Sequence, residues 1–120
     1  MAEVYGSIDY ERLKRAVGRA NKAEKITVDL GDAHAGYPET ASYLATNGQR
    51  VTILNAGAGT WALTFIFQDG STITLDSTEV TTGDILDWDF YLLYVVNTAQ
   101  AGQTLVLIVD YRVITGVEGY

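Results

Sequence analysis

From Lys25 onward the chain alternates apolar and polar residues in short runs, each broken by glycine, asparagine or aspartate. A period of two is the signature of a strand with one buried face, whereas a helix shows its apolar stripe at a period of 3.6. "KITVDL" sets Ile26, Val28 and Leu30 against Thr27 and Asp29. "GDAHAGYPET" follows as a loop, with Gly31, Gly36 and Pro38 as breakers. "ASYLAT" reads as a strand closed by the turn signal "NG", and "RVTILN", "TWALTFIF" and "TITLD" as further strands joined by "AGAG" and "QDGS". "STEV" reads as the start of another short strand, "ILDWDFYLLYVV" as the longest one, and "TLVLIVDYRVI" as the last. Seven or eight short strands with such turns predict an all-β domain, either a β-sandwich or a jelly-roll-like barrel.

The last two strands are apolar on both faces. In "ILDWDFYLLYVV" the residues Leu86, Trp88, Phe90, Leu92, Tyr94 and Val96 share one face, and the other turns apolar at Leu93 and Val95. Leu105 to Ile108 is wholly apolar before Asp110 and Arg112 appear. Pairing these strands as a hairpin through "NTAQAG" brings their apolar halves together. "VTILNAGAGTWALTFIF" echoes "LYVVNTAQAGQTLVLIV", which points to two related hairpins with Asn55 and Asn97 opening the turns. So much apolar surface exceeds what one domain of 120 residues buries alone. Leu93, Val95, Val106 and Ile108 are therefore expected at a subunit contact, with a three-fold homo-oligomer as the leading form.

The start of the chain differs in charge and in period. Residues 8–23, "IDYERLKRAVGRANKA", repeat Leu13, Ala16, Val17 and Ala20 at helical spacing behind a Ser7 cap. Residues 1–25 hold six Lys/Arg against four Asp/Glu, and residues 26–120 hold two against eleven. This divides the chain into a basic helical arm, 1–25, and a β domain, 26–120. The stripe is too thin to anchor a core, so Leu13, Arg15, Val17 and Arg19 are expected to dock the arm on an acidic neighbouring subunit. The acidic body repels nucleic acid and anionic membranes, and neither is expected as a partner.

No reactive constellation stands out. Cysteine is absent, which excludes disulfides and thiolate metal sites, and His34 is the single histidine, too few for a histidine-built metal centre. A catalytic pairing of His34 with Asp32 or Glu39 is the sharp alternative to a locally bonded loop residue. Asp84, Asp87 and Asp89 are read as a solvated acidic edge, with a peripheral Ca²⁺ as the alternative. Neither a catalytic residue nor a cofactor is assigned. Trp61 and Trp88, with the tyrosines, are read as core or interface residues, and a carbohydrate- or surface-binding platform is the alternative.

Residues 83–109, "GDILDWDFYLLYVVNTAQAGQTLVLIV", resemble the C-terminal part of small tailed-phage virion proteins. There a Gly-Asp turn, an aromatic strand, an Asn-Thr-Ala-x-Ala-Gly turn and a final Leu/Val strand recur, and "ILNAGAGTWALTF" is similar to their earlier hairpin. The resemblance implies an all-β, non-enzymatic, multimeric protein that decorates a head or sits in a capsid as a minor component. Its expected partners are further copies of itself and a major capsid protein or another virion protein. No apolar run of signal-peptide length opens the chain, so synthesis in a host cytoplasm and use in the particle are expected.

Overall fold

The computed structural model describes residues 22–111, which form one antiparallel sheet of eight strands that does not close into a barrel. In chain order these are β1 (Lys22–Asp29), β2 (His34–Ala35), β3 (Tyr43–Asn55), β4 (Ala62–Ile66), β5 (Thr72–Asp76), β6 (Ile85–Leu86), β7 (Phe90–Asn97) and β8 (Thr104–Tyr111). The strand order is β1-β8-β3-β7-β4-β5, with β2 added beside β7 and β6 beside β3. The all-β expectation holds. The expected helix over 8–23 falls outside the described residues up to position 21, and with it Leu13, Arg15, Val17 and Arg19. Its last two residues, Lys22 and Ala23, are extended instead, because β1 pairs them with Tyr111 and Asp110.

β3 organises the sheet. "NG" was expected to end a strand, yet Asn47 and Gly48 lie inside β3 and bend it. Asn47 takes the left-handed backbone at φ 55°, and the register slips between Gly48 and Arg50. Gly48 pairs with Phe90 on one side and Tyr111 on the other. A Cβ there would lie 2.3 Å from the Phe90 ring, so only glycine lets the two strands close around the bend. β6 and β7 are two pieces of one passage along a single edge of β3, interrupted at residues 87–89. The longest strand is therefore β3, and "STEV" forms a turn whose Glu79 N–H donates to the Asp76 carbonyl.

Neither expected hairpin forms. β7 pairs with β2, β3 and β4, and β8 with β1 and β3, so "NTAQAG" carries the chain across the sheet instead of folding it back on its neighbour. "AGAG" does the same between β3 and β4. Two apolar strands joined by a short polar loop satisfy either arrangement, and only the partners available elsewhere decide between them. The QDGS hairpin between β4 and β5 does form, with the Phe67 N–H donating to the Ser71 carbonyl.

The sheet curls over its own inner face. Gly59, just before β4, would place a Cβ 3.0 Å from Leu30, just after β1. Those strands stand four places apart in the order, close to 20 Å if the sheet were flat, at ~4.8 Å per strand. Curling buries Val51, Ile53, Leu63, Phe65, Leu93, Val95, Leu105, Leu107 and Val109 completely in one cluster. Each such side chain contributes about 1.5–3 kcal/mol over an exposed one. Leu93 and Val95, expected at a subunit contact, are core residues and have no surface to offer.

Candidate functional site

The polar residues singled out in the sequence are tied into structure. His34 Nδ1 meets Asn97 Oδ1 at 2.5 Å, and Asn97 is itself buried. The Asn97 amide nitrogen faces the carbonyls of Leu30, Asp32 and Thr98, so its oxygen must accept from a protonated Nδ1. Glu39 accepts from the Ala35 N–H and the Ser42 hydroxyl, which hold its carboxyl below the usual range. The Asp84 carboxylate accepts from the Thr81 N–H, and Asp87 pairs with Arg50 at 2.6 Å. Among the described residues no three acidic or histidine side chains gather as a metal site.

The tryptophans pack into the fold. Trp61 is buried and donates its indole N–H to the Ala56 carbonyl at 3.1 Å, so it cannot serve as a binding platform. Trp88 is half-buried, edge-on to Phe65 and Phe67.

Two surfaces remain. The first is the outer face of β1, β8, β3 and β6. Lys25, Ile108, Thr52 and Ile85 stand opposite one another in a single cross-strand row. Val106 lies one step along, between Thr27 and Asn55, beside the exposed Leu54. Ile85 is 58% exposed and Leu54 42%, on a face where a solvated antiparallel sheet normally carries polar side chains. Val106 and Ile108, expected at an interface, are half-buried there because inward positions alternate through Leu105, Leu107 and Val109. Leu54 and Ile85 were missed in the sequence because no local signal distinguishes an outward apolar residue from an inward one.

The second surface is an open groove of about 490 Å³ between β1, β3 and β8, lined by Lys22 and Glu24, by residues 43–47 and by Tyr111. The Tyr111 hydroxyl donates to Glu24 at 2.8 Å, and the Lys22 ammonium sits 5.1 Å from the Tyr111 ring centroid. Burial first, and then the Glu24 carboxylate, push the Tyr111 phenol well above its ordinary pKa. Tyr43 also packs edge-on to Tyr94, whose other side is covered by Tyr37. These tyrosines come together from the 31–39 loop, β3, β7 and β8, a grouping that strand pairing creates.

Comparison of the chain with known protein families and with curated proteins finds no match in either.

Proposed function

We propose that the chain is a structural component of a virus particle, of the decoration or minor-capsid kind, which self-associates and seats on a capsid lattice. In this reading the curled sheet is an open sandwich and residues 1–21 supply the docking arm, since Lys22 to Lys25 belong to β1. One observation carries it. The outer face of β8, β3 and β6 keeps Leu54 and Ile85 exposed, with the half-buried Val106 and Ile108 on the same face, all four outside the core cluster. Contiguous exposed apolar side chains on a small domain mark a contact with another macromolecule. The resemblance of residues 83–109 to tailed-phage virion proteins supports the particle as the setting. Light scattering of the full chain at micromolar concentration is expected to give a defined oligomer, and its peptides are expected in density-banded particles. A monomer absent from such particles would sink the reading.

The groove favours a second reading, a saccharide-binding module. Aromatic walls at Tyr43 and Tyr111, with the amide, hydroxyl and carboxylate of Asn47, Thr46 and Glu24, suit a neutral ligand with an apolar ring face and many hydroxyls. Neutral oligosaccharides at millimolar concentration would then shift the Tyr43 and Tyr111 ring resonances. Unmoved resonances would dismiss it.

A further inference from the structure

We infer that the outer face of β1, β8, β3 and β6 pairs with the same face of a second copy about a two-fold axis parallel to the strands. The inference rests on the proposed assembly role and names its contact.

The argument is one of charge and symmetry. Three cations lie among the described residues: Lys22, Lys25 and Arg50. Lys22 sits by the Tyr111 ring, and Arg50 is held by Asp87 at 2.6 Å and Asp110 at 3.7 Å. Lys25 has no ion pair among the described residues. It stands exposed at the β1 end of the row that runs through Ile108 and Thr52 to Ile85. On the Ile85 side, two residues further along the chain, the Asp87 side chain is 69% exposed and paired with Arg50. Arg50 offsets only one of its two carboxylate partners, so the Asp87 side of the face keeps a net negative charge against Lys25 at the other edge, with Ile108 and Thr52 between them.

A two-fold axis along the strands reverses the row of one copy over the row of the other. Ile108 of each copy then lies over Thr52 of its mate near the axis, and Lys25 lies over the mate's Ile85, two residues along the strand from Asp87. An isologous contact requires such self-complementarity, because every attraction across it occurs twice. Turning the second copy about an axis across the strands would set Lys25 over Lys25 and Asp87 over Asp87, and like charges exclude that packing. The two-fold contact differs from the three-fold cluster expected from sequence, which had no face to refer to.

The test uses the full chain. Sedimentation and light scattering are expected to give two copies or a multiple of two. Ile85→Arg, checked for folding by circular dichroism, should weaken association at least about tenfold. Lys25→Glu should weaken it more at about 0.05 M salt than at about 0.5 M, where screening removes most of the attraction. Ile73→Arg, on the exposed β5 edge away from this face, should leave it unchanged. A three-copy mass, or an oligomer indifferent to both Ile85→Arg and Lys25→Glu, overturns this contact while leaving the assembly role intact. A monomer for the unaltered chain overturns both.

Discussion

Asn97, the last residue of β7, binds His34 of β2 at 2.5 Å through its side-chain oxygen and holds three carbonyls with its nitrogen. One buried amide thus fastens the loop after β1 to the loop before β8. Asn97→Ala takes this donor from the Asp32 carbonyl and this acceptor from the imidazole, while the Leu30 and Thr98 carbonyls keep Gln100, and should cost about 1–3 kcal/mol, read from urea denaturation. Asn97→Asp should cost more near neutral pH, because it turns a carboxylate oxygen toward carbonyl oxygens. An aspartate variant as stable as the parent would refute this account of the site.

Gly48→Ala should be among the most damaging small substitutions. The added methyl would meet the Phe90 ring at 2.3 and 2.6 Å and Val109 at 3.0 Å. Overpacking of this kind costs about 1–3 kcal/mol. Phe90→Leu in the same chain should recover part of the loss, giving a double-mutant cycle with a clear coupling term. Additive effects would place the cause elsewhere.

Stability should fall in acid through the turn carboxylates. Asp69 is held below its ordinary pKa by the hydroxyl and N–H of Ser71, Asp76 by those of Thr78, and Glu39 by the Ala35 N–H and Ser42. A group depressed in the folded state stabilises it above the unfolded pKa, near 4, and loses that contribution as pH drops through the folded value. Melting temperature should therefore be level from about pH 7 to 5 and decline below about pH 4. Ser71→Ala and Thr78→Ala should make the decline shallower.

Removing residues 1–21 should leave a folded β domain with reduced docking, since β1 begins at Lys22 and its partner β8 is intact. Arg15→Glu with Arg19→Glu should weaken docking mainly at low salt. Loss of the β-sheet circular dichroism signal in the truncated chain would put the arm in the core instead.

Periodicity and turn chemistry determined the class of this fold. The alternation from Ile26 to Leu30 and from Thr104 to Val109, and the turns at Asn55 and Asp69, are local properties, fixed by where a pleated strand points its side chains and which residues close a loop. Asn55 accepts from the Gly57 N–H in its turn, as its position implied. Pairing was not local. β7 and β8 look like a hairpin in sequence, yet β3 stands between them, because a 13-residue strand bent at Gly48 offers both a full edge. That choice decided the rest: it sent Leu93 and Val95 into the core, left Ile85 and Leu54 outside, and gathered Tyr43 and Tyr111 around one groove. An apolar residue carries the same hydrophobic driving force whichever surface covers it, so only the tertiary structure could say which face was still uncovered.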